Sequence, residues 1–599
     1  MKSRFDKVCV LAMSGSLATS IGALLLMPLA SCGGGSRGDF PEEVGADFGD
    51  AASTPEVDTS CARQCSLDFR SVLSACDGSV VESCPPDLAC GGASCVSPCE
   101  AMAAAQSSIG CEFYTQPPGT TNAAGSCYAA YVVNSWSSPI TVDVSLGNEK
   151  LDLSNAVFRF KPGTSELESA PGEIPPNEAV IVFLLDAPNT FSPEGYTACP
   201  AGVTPATKRW LSPARTGRGT SFHLTTSAPS SVATIYPFGG AASFFPTATL
   251  LLPTASWDKQ HVLVEPWQRS AVIANVGGVP NVQIVASDDD TQVTILPTAD
   301  ILPADGVTGA LRGRVATYTL GKGEFLQIGQ NDELSGSLIE ANKPVATFGG
   351  HGCMNVPSNI PACDTEQKQI PAFTQWGQEY VAVRYRGRTG DSESAPYRIV
   401  AAIDGTELSY DPAPPVGAPT SMKAGEVATF SSAAPFVVRS QDANHPIYVA
   451  VYMTGGGGDG FNAVGDPEAV NLVPAGQYLD SYSFFADPTY DETSLVVVRG
   501  KSSSGVFEDV TLECAGGALT DWRPVGKSGQ YEFRRVDLSR GRGPGETFPG
   551  GTCTSGLHRM KSNGPFTATI WGWGRTASYA YPGGMAQRKL VTTATLNVH

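Results

Sequence analysis

Four segments of the chain, residues 228–236, 343–348, 445–452 and 564–571, carry a proline in second place and then run into a short apolar stretch. Their prolines, Pro229, Pro344, Pro446 and Pro565, are 115, 102 and 119 residues apart. Self-similarity on that scale means one supersecondary unit used several times, and it restricts the fold before any element is assigned. The intervening sequence repeats too. Residues 284–293 and 399–408 each read as strand, tight acidic turn, strand, and Asp404-Gly405 is a favoured hairpin turn because glycine accepts positive φ. A Gly-Glu step into a strand recurs at Gly323-Glu324-Phe325 and Gly425-Glu426-Val427. Leu252-Pro253 with Trp257, Ile370-Pro371 with Trp376 and Val473-Pro474 with Tyr478 form a third repeated feature. Proline lacks an N–H, so each Pro-led segment is expected to place it as a strand's first residue, where it discourages edge pairing.

Short apolar runs such as residues 380–383 and 447–451 are bounded by turn formers, and no long amphipathic helix is evident. The expected fold is all-β: about four repeated units of ~100–120 residues, β-sandwich-like and either tandem or packed, with a propeller-like toroid as the alternative. The units fall at 112–245, 246–355, 356–465 and 466–599. Ahead of them, residues 61–111 read as a small disulfide-rich module.

That module follows from cysteine arithmetic. Of sixteen cysteines, Cys9 lies in a leader and Cys32 at its end, which leaves fourteen. Nine crowd into 61–127, with Cys199 as the natural tenth for Cys127, and the rest form two pairs, Cys353 with Cys363 and Cys514 with Cys553. Zinc would want C-x₂-C pairs with histidine nearby; the cluster has none, and the first histidine is His223. Disulfides in an oxidising compartment are expected, with connectivity inside 61–127 left open.

Residues 1–31 have a basic start (Lys2, Arg4, Lys7) and an apolar stretch, and read as an export signal. Leu29-Ala30-Ser31-Cys32 resembles the lipobox of bacterial lipoproteins, which implies acylation at Cys32 and placement in the cell envelope, at the outer membrane or surface rather than the inner membrane. Residues 32–60 hold seven acids and one base after a Gly-rich start, the composition of a tether. A formal charge of −19 excludes steering to nucleic acid.

The run Lys343-Pro344-Val345-Ala346-Thr347-Phe348-Gly349-Gly350-His351-Gly352-Cys353-Met354-Asn355-Val356-Pro357, with Ala362-Cys363-Asp364 and Gln369-Ile370-Pro371 behind it, resembles the IgGFc-binding protein N-terminal domain family. Residues 397–410 and 473–485 continue the likeness, which covers about 125–500. The Cys-rich stretch ending Ile109-Gly110-Cys111-Glu112-Phe113-Tyr114 looks like the leader of exported bacterial members. The resemblance implies a binding or adhesion module without catalysis, and it supplies no functional residues. The family's acidic cluster after Cys363 is thinner here, with Gln367 and Gln369 around Lys368.

Six histidines, His223, His261, His351, His445, His558 and His599, are scattered without H-E-x-x-H or C/H ligand spacing. His351, beside Gly349-Gly350, reads as a histidine wedged at a disulfide-closed turn. Asp288, Asp289, Asp290 and the loop carrying Asp459 offer oxygen ligands for calcium, although neither follows the EF-hand order, and a solvated hairpin turn and a loop explain them as well. Trp571-Gly572-Trp573-Gly574 would suit glycan stacking if the glycines bare both indoles, and a packed strand otherwise. No catalytic residue, metal or cofactor is assigned. The expected function is a lipid-anchored envelope protein that binds a protein or glycan ligand; an exported hydrolase with a convergent site, or a structural envelope component, are the alternatives. Cys32→Ala should move the protein from the membrane to the soluble fraction on cell fractionation, and its retention in membranes would mean that the leader spans.

Overall fold

The computed structural model describes residues 61–598 apart from 67–68, 121–122, 162, 189–194, 273–277, 458–461 and 463. The leader, Cys32, the tether and Asp459 lie outside them. Strands take 48 % of the chain and helix 4 %, as period-2 patterning with frequent Gly and Pro demands. A nine-stranded sheet is built from residues between 110 and 250, an eight-stranded sheet from 217 to 370, two four-stranded sheets from 379 to 471, and a second nine-stranded sheet from 479 to 582. All ladders between the named strands are antiparallel, and no closed propeller is formed among the described residues.

Each of the four recurring segments contributes a strand followed by a return strand. The pairs are β1 (Phe222–Tyr236) with β2 (Thr247–Leu250), β3 (Leu338–Met354) with β4 (Asp364–Ile370), β5 (Ile447–Met453) with β6 (Glu468–Asn471), and β7 (Gly556–Gly574) with β8 (Ala577–Pro582). Pro446 directly precedes β5, but Pro229, Pro344 and Pro565 sit inside β1, β3 and β7. This corrects the expectation that each proline opens its strand. The register shifts at or beside each of these prolines: Thr225 and Ser230 of β1 flank one shift, and the partners of Glu340 and Val345, and of Lys561 and Phe566, flank the others. A residue without an N–H breaks the ladder there, so the two halves of one strand serve different partners. In β3, Leu338 to Ala341 pair with residues 293–296, whereas Val345 to His351 pair with 280–286.

The return strands face one another. β2 lies against β4 and β8, and β6 lies against the same two, so the four close a cycle. One apolar core joins Tyr131 and Phe183 of the first sheet to Tyr397 and Val449 of the third region and Val497 and Ile570 of the last; the second sheet keeps a core around Ile284, Val293 and Ile339. The disulfides Cys61–Cys76, Cys65–Cys90, Cys84–Cys95 and Cys99–Cys111 close the amino-terminal module on itself, and Cys127–Cys199, Cys353–Cys363 and Cys514–Cys553 staple the sheets. The one α-helix among the described residues, Pro98–Ala105, starts at a capping box in which Ser97 and Glu100 satisfy each other's backbone N–H.

β4 reads Asp-Thr-Glu-Gln-Lys-Gln-Ile, and all seven residues are buried. A polar strand tolerates this only if its groups find partners. The Gln367 amide donates to Gln283 Oε1 at 2.7 Å and to the Gln116 carbonyl at 3.1 Å, and Gln369 Oε1 accepts from Leu252 N–H at 2.7 Å. Glu366 accepts from Thr247 Oγ1 at 3.0 Å and Ala469 N–H at 2.8 Å. Lys368 Nζ lies 2.8 Å from Glu366 Oε1, contacts Glu468, and donates to the carbonyls of Ala248 and Ala580. Four of the five large sheets thus lend a partner to one strand.

Carboxyl groups crowd this centre. Burial, with Asp466 and Glu468 nearby, pushes the Asp364 carboxyl well above its usual range, and burial together with Glu366 does the same to Glu468. Burial opposes the Lys368 charge, but Glu366 and Glu468 hold it above its ordinary value, so the ammonium persists. Asp466, whose Oδ1 accepts from Gly456 N–H, is pushed up to about 6 by burial.

Lys368→Ala leaves two glutamates facing each other without a cation, and should cost about 3–5 kcal/mol in urea unfolding; unaltered stability would show the network to be dispensable. The folded state holds the proton of Asp466 more tightly than the unfolded chain, so this group's contribution is complete below pH ~4 and is lost as pH rises through about 6. Asp466→Asn should therefore flatten the decline in stability between pH 4 and 7 by up to ~3 kcal/mol, and parallel pH profiles would contradict this.

Candidate functional site

The residues singled out from the sequence do not converge. His351 is fully buried; its Nδ1 accepts from Cys353 N–H at 3.1 Å and its Nε2 donates to the Gln268 carbonyl at 3.2 Å. Burial pushes it down to about 3, so the ring is neutral with both nitrogens used. Gly349 beside it admits a neighbouring backbone: a Cβ there would sit 2.0 Å from the Val264 carbonyl oxygen. His223 pairs with Glu112 at 2.7 Å and stacks on Tyr114, His445 pairs with Asp442 at 2.9 Å, and His558 is buried and pushed down to about 4 by that burial. Among the described residues no histidine bonds both a serine and an acid.

Asp288, Asp289 and Asp290 form the turn between Pro280–Ala286 and Thr291–Leu296, and their oxygens are used locally. Asp288 Oδ2 accepts from Ser287 Oγ at 3.0 Å, Asp289 Oδ1 from Lys322 N–H at 2.9 Å, and the Asp290 carbonyl from Asn342 at 3.3 Å. No three His, Cys, Asp or Glu side chains among the described residues gather as metal ligands. Trp571 and Trp573 are buried, with Tyr385 against both at 4.9 and 6.3 Å. Gly572 and Gly574 make room for Tyr579 and Ala241 instead of baring the indoles, so the packed-strand reading of this run holds and the glycan-stacking one does not.

What the fold creates instead is a groove of about 740 Å³ where the first sheet meets the last. One wall is the hairpin of Val157–Phe160 and Leu167–Ser169 with Asn177 to Ala179; the other comes from Phe485 to Thr489, Ser539 to Pro544 and Thr554 to Leu557. The walls are joined by apolar and buried polar contacts. The rings of Phe160 and Phe485 stack in parallel at 5.8 Å, and Tyr131 packs on Phe485 at 4.9 Å. The Tyr131 hydroxyl donates to Asp487 Oδ2 at 2.6 Å, and Thr489 N–H donates to Asp487 Oδ1 at 2.8 Å, which fixes the floor.

The rim is polar and its charges are mutually satisfied. Arg159 pairs with Glu168 at 2.7 Å and Glu178 at 3.0 Å, Lys161 with Glu166 at 2.9 Å, and Arg542 with Asp491 at 2.5 Å. The Ser539 and Ser555 hydroxyls are shielded and have no partner among the described residues, which is an uncommon state for buried hydroxyls. A broad trough with aromatic carbon at its base and neutralised charges along its edge suits an uncharged stretch of ligand rather than a reacting centre. Sequence reasoning missed this groove: Ser539 and Ser555 carry no motif, and only the meeting of the first and last sheets brings them opposite Phe160.

A family model described as IgGFc binding protein matches residues 247–572. The human IgGFc-binding protein is 26% identical over 226 residues, a stretch that covers 38% of this chain and 4% of the human protein. No solved structure matches. The matched region runs from β2 through nearly all of β7 and takes in β4 and one whole wall of the groove, and since it exceeds half of the chain's length, the chain belongs to the IgGFc-binding protein family.

Proposed function

We propose that the chain is a non-enzymatic binding protein of the cell envelope, held to its membrane through an acylated Cys32, that takes a protein or glycan ligand along the groove between its first and last sheets. The groove carries this reading: its size, its aromatic base and its neutralised rim are features of a recognition surface. The human relative's name supports a protein ligand. The lipobox-like Leu29-Ala30-Ser31-Cys32 and the disulfides support delivery to an oxidising compartment.

Ser165 and Thr554 lie on opposite walls and are exposed, so bulky side chains there should fill the groove without touching the core. The full-length Cys32→Ala protein should give discrete hits on glycan and matrix-protein arrays. A Ser165→Trp/Thr554→Trp variant with an unchanged Tm should lose those hits at least about tenfold, equivalent to ~1.4 kcal/mol. Equal binding by the filled variant would place the ligand elsewhere, and silence on both arrays would favour a structural envelope component.

A further inference from the structure

Arginines converge on one edge of the last sheet in a chain whose formal charge is −19. Arg384, Arg386 and Arg388 alternate along one segment, and Arg534 and Arg535 lie on the strand Tyr531–Arg540. Most have dedicated carboxylates: Arg386 has Glu492 and Asp537, Arg388 has Glu393, and Arg534 has Glu546. Arg384, Arg535 and Arg523 do not. Arg384 is almost wholly buried; its guanidinium donates to the carbonyls of Tyr385 at 3.0 Å and Asp391 at 2.8 Å, and its Nε has no partner. Arg535 donates Nε to the Arg384 carbonyl at 3.0 Å, and its nearest carboxylate oxygen is Asp391 Oδ1 at 4.0 Å. Arg523 approaches the same Asp391 at 3.7 Å, and that side chain is 79% exposed.

Arg535 and Arg523 thus share one loosely held carboxylate, and Arg384 beside them is held by main-chain carbonyls alone. Arg535, with a side-chain exposure of 14%, faces a pocket of about 170 Å³, its guanidinium 5.0 Å from the Phe533 ring centre. The other acids of that pocket are Asp537 and Glu546, both paired, and Asp521, which accepts from Thr520 at 3.1 Å. Burial and the neighbouring Arg384 push Arg535 down to about 10. A desolvated cation is costly unless something neutralises it. The distant acids that set the net charge are screened beyond ~8 Å at physiological salt, so Arg535 answers to the charges of its own pocket, where Asp391 is the one acid within reach of it.

We propose that this pocket is a binding site for a single oxyanion group, a sulfate or a carboxylate, gripped by the guanidinium fork of Arg535 and closed at the rim by Arg523. The planar fork matches two oxygens of such a group, and the pocket has room for one group and its point of attachment. Asp391 then acts as a weak internal competitor for the same cation. The site is independent of the groove, so either can fail without the other.

The test is thermal unfolding of the full-length Cys32→Ala protein with sodium sulfate, methyl sulfate or acetate, each matched to sodium chloride at equal ionic strength. Sulfate stabilises proteins nonspecifically and linearly, so the signal is a saturable rise in Tm. The wild type should show one in the millimolar range, Asp391→Asn should lower the half-saturating concentration about fivefold, and Arg535→Gln should retain only the linear part. Arg523→Gln, at an exposed position, should raise the half-saturating concentration and guards against a misfolded Arg535 variant. Saturation by methyl sulfate assigns a sulfate ester and saturation by acetate a carboxylate. A purely linear response in the wild type, or superimposable curves for wild type and Asp391→Asn, would overturn the site.

Discussion

A strand of seven buried residues, six of them polar, has to be satisfied from all sides, and the arrangement of the sheets answers that demand. β4 has an ordinary ladder only with β3; toward β2, β6 and β8 its backbone and side chains are met by Thr247, Thr249, Ala469, Asn471, Ser578 and Ala580. These contacts are side chain to backbone rather than strand to strand, which lets four sheets abut without merging into one. An apolar strand in the same place would pack, but it would not fix which residue of each neighbour lies opposite it. Lys368 adds a charge that accepts only one seating, between Glu366 and Glu468.

The repeat that announces four related units is visible in the spacing of Pro229, Pro344, Pro446 and Pro565, because a residue lacking an N–H leaves a periodic mark. What those prolines do inside β1, β3 and β7 is not visible, since a change of partner halfway along a strand depends on chains far away in sequence. The same limit hides β4: Gln367 and Gln369 around Lys368 read as a thinned acidic cluster, and only the cycle of return strands buries them. Gln367 is matched by Gln116 and Gln283, residues no local pattern connects to it. Cysteines are easier, because the pairs Cys353–Cys363 and Cys514–Cys553 are isolated in sequence, whereas the eight between Cys61 and Cys111 admit many pairings and need coordinates to sort them. The candidate site was the least visible of all. Its walls come from the first and last sheets, and its distinguishing atoms are two serine hydroxyls without a motif.

Both surface features stand on the last sheet but differ in character. The groove has neutralised its charges and left hydroxyls unspent, while the arginine pocket has paired most of its cations and left one short of a counter-ion.

The cycle of return strands has a consequence for synthesis. A chain emerges amino-terminus first, yet the ammonium of Lys368 is not fully seated until Ala580 has arrived, more than two hundred residues later. Until then one carbonyl partner of the central strand is missing, so the first three units remain incompletely docked until the fourth arrives. A polypeptide with this wiring completes its centre only when its last sheet is in place.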